Sequence, residues 1–261
     1  EYCQIKNIIF KCYIFNFKRG SIKRTDYESI TKKIKFNFYK SILNEFNLNK
    51  ILLAHHKDDI IENIFANFCR GENFLNLSVI KYANTILDVR IIRPLIDYFK
   101  NDIYNYAHYY QIPYFLDTTP LWSVRGKIRN NLLKILFDTF PGFKSNLLYI
   151  SKESDNWSKL INEKFIDKYM KNIQVLTFNN KINKIKLPFI INDENYRTFP
   201  LCFWSIILSK IFHCIIGNIS SPSRKSIEML VNNINNNKKT NMILKNNIQI
   251  SLLEFEMIIT I

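Results

Sequence analysis

The stretch Leu53-Ala-His-His-Lys-Asp-Asp-Ile-Ile-Glu62 joins the end of a short apolar run to the start of an amphipathic helix. Residues 50–54 are too few for a helix and suit a buried parallel strand. Two histidines and two carboxylates follow at once. A helical stripe of Ile61, Ile64, Phe65 and Phe68 begins beside them, and Gly71 is placed to stop that helix. Strands that hand polar side chains to a helix N-terminus build the ligand-binding rim of open α/β sheets. Histidine donates to a phosphate or a base, and aspartate holds Mg2+ through oxygen. The plainer alternative is that Asp58 and Asp59 cap the helix and favour its positive end.

Working outward, residues 7–17 carry the apolar pattern of a strand (Ile8, Ile9, Phe10, Tyr13, Ile14, Phe15). Residues 25–46 repeat apolar side chains at spacings of three and four (Tyr27, Ile30, Ile34, Phe38, Ile42, Phe46), which predicts a helix. Residues 88–93 read as a strand closed by Pro94. Asn101 or Asp102 can cap a helix that runs to Tyr110, and Pro113 ends it. Residues 114–116 are extended and 128–137 helical. This alternation predicts an α/β fold, a parallel sheet with helices on both faces, over residues 1–150.

The rhythm then changes. A helix over 157–170 and a hairpin (175–178, turn Asn179-Asn180, 185–189) form a linker region, 151–195. A buried helix over 200–216, a helix from Ser223, a polar Asn/Lys tract over 232–241 and small antiparallel strands make an α+β appendage, 196–261.

With 47% hydrophobic and 15% aromatic residues, the 261-residue chain can bury a sizeable core. Its net charge of +15 favours polyanionic partners, unless it only reflects a Lys/Asn/Ile bias of an AT-rich genome. The five cysteines form no CxxC pair, which argues against a zinc site or a disulfide framework and points to a reducing, cytoplasmic compartment. The apolar run 201–216 is broken by Lys210 and His213, so no membrane span is expected. The chain opens on Glu1 instead of Met, which reads as a cut start.

Two further segments carry candidate chemistry. Arg90-Ile-Ile-Arg-Pro-Leu-Ile-Asp97 puts Arg93 at a strand end, aimed at a rim ligand or simply at solvent. Asp117-Thr-Thr-Pro-Leu-Trp-Ser-Val-Arg-Gly-Lys-Ile-Arg129 spaces three cations two apart and suits phosphate or RNA backbone. Trp122 there is either a stacking face or a buried anchor.

In this order and spacing the three segments resemble the N-type ATP pyrophosphatases of adenine nucleotide alpha hydrolase-like fold, and among them the tRNA(Ile)-lysidine synthetase family. The resemblance is good over roughly residues 5–150. It implies an ATP-dependent ligase: ATP adenylates the C2 oxygen of a wobble cytidine in tRNA, a lysine amine attacks C2, and AMP leaves. It further implies ATP and Mg2+ as cofactors, with tRNA and lysine as substrates. Carried over residue by residue, His55, His56, Asp59 and Arg125 match the reaction centre, with Asp59 also the Mg2+ ligand. Arg70, Gly71, Arg93 and Arg129 match nucleotide or phosphate contacts, and Asp117 matches the family's aspartate. From the basic loop itself, and not from the family, Trp122 and Lys127 are read as RNA contacts. The Asp117-Thr-Thr-Pro120 wording departs from the family's Asp-Pro-Ser-Asn.

The family's Ser-Gly-Gly-x-Asp-Ser loop, whose backbone N–H groups cradle pyrophosphate, does not occur here: the chain has five glycines and no two are adjacent. Residues 1–261 alone are therefore expected to release no pyrophosphate with tRNA, ATP and lysine present; sustained release would refute that reading. Two alternatives remain at this point. A tRNA thiolase of the same superfamily would commonly carry paired cysteines. A non-catalytic RNA-binding module would have kept the basic surface without the loop.

Overall fold

A computed structural model describes residues 1–15, 24–115, 119–179, 181–217 and 220–261. They divide into two compact units, Glu1–Asn156 and Trp157–Ile261.

The first unit opens with one helical turn, α1 (Tyr2–Ile5), and an extended segment. That segment corrects the strand expected at 7–17. Residues 8–15 pair with no strand among the described residues, and 16–17 lie outside them. A strand is defined by its partner, and apolar patterning alone supplies none. Ile8, Ile9, Phe10 and Ile14 stay exposed, and the segment lies along the next helix through Tyr13 on Phe38 (ring centroids 5.6 Å) and Lys11 on Glu45 (2.5 Å).

Helix α2 (Arg24–Glu45) covers a three-stranded sheet of order β1-β3-β2. β1 (Ile51–Leu52) runs parallel to β3 (Val89–Ile92), with Ile51 opposite Ile91. β2 (Ala83–Ile86) returns antiparallel to β3 through a two-residue turn, Leu87 and Asp88, both at positive φ (47° and 61°). The face of α2 that meets the sheet is Phe36, Tyr39 and Leu43, packed with Ile51, Val89 and Ile91. It is not simply the predicted stripe, because apolar side chains lie on two sides of this helix.

α3 (Lys57–Cys69) follows β1 and ends as expected. Gly71 takes φ +69°, its N–H reaches the Phe68 carbonyl (3.0 Å), and the Glu72 N–H reaches that of Asn67 (3.1 Å). α4 (Lys100–Tyr109) is capped from inside: Asp102 accepts the Phe99 N–H at 3.1 Å. α5 (Val124–Lys127), a wider π-helical turn (Ile128–Leu132) and α6 (Leu133–Thr139) form one helical passage. Ile128 and Leu133 on it bury Ile61 of α3, with Phe65, Phe137 and Phe143 around them; Phe143 opens α7 (Phe143–Ile161). This second small core fixes the passage against α3 and so positions the site.

The second unit contains α8 (Asp167–Met170) and a five-stranded antiparallel sheet of order β4-β5-β10-β9-β8. These strands are β4 (Gln174–Phe178), β5 (Lys181–Pro188), β8 (Thr240–Lys245), β9 (Ile248–Leu252) and β10 (Glu256–Thr260). A two-residue pair, β6 (Ile190–Ile191) with β7 (Glu194–Asn195), precedes α9 (Leu201–Lys210) and α10 (Arg224–Asn235). The hairpin assigned by sequence to a linker over 151–195 is the first half of this sheet, since β5 pairs with β10 from Pro188–Glu256 to Lys184–Thr260. Trp204, Tyr169, Tyr196 and Phe189 form the aromatic centre of its core. Burial, with the Glu194 carboxylate beside it, pushes the Tyr196 hydroxyl up to about 12, so it stays a donor to Glu194 (2.8 Å). Among the described residues no helix is long and apolar enough to cross a membrane.

Candidate active site

The ladder of β1 continues one residue further, as the Leu53 N–H meets the Ile92 carbonyl (2.9 Å), and then delivers His55 and His56 to the start of α3. The Lys57 N–H is taken by the Tyr98 carbonyl, which brings the start of α4 alongside. Asp59 caps its own helix by accepting the His56 N–H at 3.1 Å, so the capping alternative describes part of the truth. Asp58 has a different task. It accepts the Lys100 N–H of α4 (2.8 Å) and the Lys144 ammonium of α7 (3.3 Å), tying three helices together at one carboxylate.

Asp59 and Glu62 lie three apart, on one face of α3. Both are more than nine-tenths buried. An isolated buried carboxylate is costly, and two arginines offset that cost. Arg125 places Nη2 2.5 Å from Asp59 Oδ1 and Nε 2.9 Å from Glu62 Oε2. Arg129, one turn on, bonds Glu62 with Nε on Oε1 and with Nη2 on Oε2 (3.0 Å), and reaches Asp59 Oδ1 at 3.4 Å. The Arg129 side chain is 18% exposed and that of Arg125 is 55% exposed. Glu62 was not among the residues singled out by sequence. Its signal was the spacing of three from Asp59 within the first motif.

The passage presenting these arginines is held by Ser123. Its hydroxyl donates to the Pro120 carbonyl (2.7 Å) and accepts the Gly126 N–H (3.0 Å). Trp122 is exposed and not buried, and Lys127 on α5 is exposed as well. Asp117 lies outside the described residues.

Arg93 is 4% exposed and points inward. Its Nη1 donates to the Lys81 carbonyl (2.7 Å) and to Asn84 Oδ1 (2.8 Å), and its Nε donates to His55 Nδ1 (3.2 Å). It is a strut between β2 and the histidine rather than an arm toward solvent. Accepting at Nδ1 leaves His55 its proton on Nε2, as a neutral ring. Burial holds the His55 pKa below its usual 6.5. Asp59 opposes that shift, while Arg93, Arg125 and Lys35 add to it. A depressed folded value gives stability that is complete above about pH 6.5 and lost as pH falls through the folded value. His55→Gln should therefore flatten the decline in melting temperature between about pH 7 and 5. Parallel curves for wild type and variant would show that His55 is not held neutral.

Arg70 and Gly71 are not brought to this cluster. They sit at the far end of the 13-residue α3, about 20 Å from His56 along the helix. Arg70 bonds Asn67 Oδ1 (3.4 Å), and Gly71 serves the helix stop. The Mg2+ expectation for Asp59 does not fit its surroundings. Both its oxygens face donors, two guanidinium groups on one and the His56 N–H on the other, which favour an anion's lone pairs and repel a cation. Among the described residues no cluster of three or more His, Cys, Asp or Glu side chains is suited to a metal. Beside the carboxylates opens a cleft of about 270 Å³ lined by His56, Glu62, Lys100, Arg129 and Lys144, with Phe99 and Phe137 as walls. His56 Nδ1 is buried without a hydrogen-bond partner at its edge. Such a cleft can receive a polar, partly anionic group against an aromatic surface.

Residues 1–136 match the PP-loop domain family. The chain is similar to the tRNA(Ile)-lysidine synthase of Borrelia garinii (28% identical, over 94% of this chain and 53% of that protein). It is similar also to those of Streptococcus sanguinis (27%, 67% and 40%) and Mycoplasma mycoides (24%, 91% and 56%). The chain thus spans about half the length of the curated relatives it matches. Among solved structures, the U34-tRNA thiolase NcsA of Methanococcus maripaludis superposes with a TM-score of 0.44 at 16% identity, over 60% of this chain and 54% of that one. The strand-end histidines, the buried acidic pair and its two arginines lie within the matched residues, and the chain belongs to the PP-loop family, grouped there with the tRNA(Ile)-lysidine synthases.

Proposed function

We propose that this chain carries part of the catalytic machinery of a ligase that modifies tRNA by ATP-dependent lysidine formation. ATP adenylates the C2 oxygen of a wobble cytidine with loss of pyrophosphate. A lysine amine then bonds to C2 as the C2–O bond breaks and AMP departs. The observation carrying this reading is the buried cluster of Asp59, Glu62, Arg125 and Arg129 beside His56, assembled from the segments that resemble the family. Arg125, the more exposed arginine, is the one a substrate phosphate or the developing charge can engage, and Arg129 holds the carboxylates. His56 lines the cleft beside the cluster, and the neutral His55 ring precedes it in the chain. Mass spectrometry of tRNA nucleosides from cells with and without the gene encoding this chain tests the reading. An unchanged nucleoside profile would refute it.

The reading also makes tRNA a partner of this chain itself, because the +15 charge is its own. If about six or more phosphates are contacted, affinity should fall by orders of magnitude between roughly 50 and 200 mM salt. Titration of tRNA against residues 1–261 at several salt concentrations checks this, and a flat response would mean the charge is only compositional.

A further inference from the structure

The helix that Asp58 ties to the active site also carries a group of exposed aromatic rings. On α4 and the turn after it, Tyr106, Tyr109 and Tyr110 are 59%, 80% and 57% exposed. Tyr106 packs against Tyr110 at a tilt (centroids 4.5 Å, 43° between the rings), and Tyr109 meets Tyr110 edge-on (4.8 Å). Behind them Tyr104, His108 and Tyr114 form a second group, locked by a 2.6 Å bond between His108 Nε2 and the Tyr114 hydroxyl. From Ile103 to Phe115 there is no Asp, Glu, Lys or Arg. Apolar surface gathered this way marks a recognition face. Tyrosine adds a π-face with a hydrogen-bonding edge, at the low entropy cost of two torsions.

We infer that this tyrosine face is a stacking platform for the bases of a single-stranded RNA. Charge decides between candidate partners. A second copy of the chain would bring another +15 against the first, whereas a polynucleotide is drawn to that field and presents flat rings once there. Position agrees. α4 has ten residues and its N-terminal N–H is held by Asp58, the residue before Asp59 of the cluster, so the platform lies about 10 to 15 Å along the helix from that anchor. A strand threaded past the site can rest its neighbouring bases there. The rings are already packed on one another, so little side-chain freedom is lost on binding. This inference deepens the proposed function. Its test scores binding of a synthetic strand rather than modification, so the two readings fail separately.

The test compares residues 1–261 with a variant carrying Tyr106→Ser, Tyr109→Ser and Tyr110→Ser. Binding is read by fluorescence anisotropy, using a single-stranded RNA of about twelve nucleotides and the same sugar–phosphate backbone without bases. The wild type should bind the base-bearing strand more tightly. The variant should weaken that binding at least tenfold, leave the base-free strand unchanged, and keep the slope of affinity against salt, because no phosphate contact is removed. The matching Tyr→Phe variant should bind as the wild type does. If the triple variant does not fold, Tyr109→Ser alone should still weaken the base-bearing strand about fivefold or more. Equal loss on both strands, or no loss, overturns the platform. So does sedimentation showing a wild-type dimer that becomes monomeric in the serine variant with RNA affinity intact, since the partner would then be a second copy.

Discussion

Arg129→Ala is expected to cost about 3 kcal/mol of folding stability, the lower end of what breaking a buried ion pair costs. Arg129 holds both oxygens of Glu62 and reaches Asp59, and each carboxylate is more than nine-tenths buried. Without it, Glu62 keeps only the Arg125 Nε and Asp59 only the Arg125 Nη2 as guanidinium donors. In a unit of this size that loss corresponds to roughly 6 to 12 °C of melting temperature. Combining Arg129→Leu with Glu62→Leu should recover most of it, because removing both partners leaves no stranded charge. A single variant that melts within about 1 °C of wild type would show that the cluster is not formed in solution.

Arg125 separates cleanly from its neighbour. Its side chain is more than half exposed, so solvent screens part of its pairing, and its removal should cost less than that of Arg129. Its contribution is expected in turnover. Arg125→Lys keeps the charge but not the planar fork. On the proposed ligase reading it should slow modification about tenfold, or roughly 1.4 kcal/mol of barrier, in the protein that carries this chain, with melting nearly unchanged. From sequence the two arginines read as one clamp; their different exposures give them different work.

What could be read beforehand follows from what is local. The passage from apolar strand to His55, His56 and a helix N-terminus lies within ten residues, and the Gly71 stop involves only the residues next to it. Both were legible. The pairing of β5 with β10 was not, because Lys184 and Thr260 lie far apart in sequence and nothing between them encodes register. β2 escaped notice because its turn uses Leu87 and Asp88 at positive φ, where glycine or asparagine is the usual signal. The pattern over 7–17 states what a strand needs but cannot supply a neighbour. The place of Arg93 at a strand end is legible, yet its inward direction depends on Asn84 of β2 and on the Lys81 carbonyl just before that strand.

Gly126→Ala is expected to be among the most damaging single changes to activity, against the ordinary preference of helices for alanine over glycine by about 1 kcal/mol. A Cβ built on Gly126 falls 2.2 Å from the Pro120 carbonyl oxygen and 3.1 Å from Leu121 Cα, and both are backbone. That carbonyl cannot easily retreat, because it accepts the Ser123 N–H (3.0 Å) and the Ser123 hydroxyl (2.7 Å), while Ser123 in turn caps Gly126. Either the turn at 120–123 or the helix must move by about 1 Å, at a stability cost of about 1 to 3 kcal/mol. Arg125 is the adjacent residue and Arg129 lies one turn on, so the displacement is passed directly to the guanidinium groups on Asp59 and Glu62. A misplacement of about 1 Å can lower a rate on the order of 100-fold. Gly142→Ala is the control: its Cβ would meet only the flexible Asn146 side chain, at 3.2 Å, and should be nearly silent. The comparison is single-turnover tRNA modification, on the proposed reading, and thermal melting of both variants in the protein that carries this chain. Equal activity for the two would mean that the close packing of Gly126 on Pro120 does not hold the arginines in place.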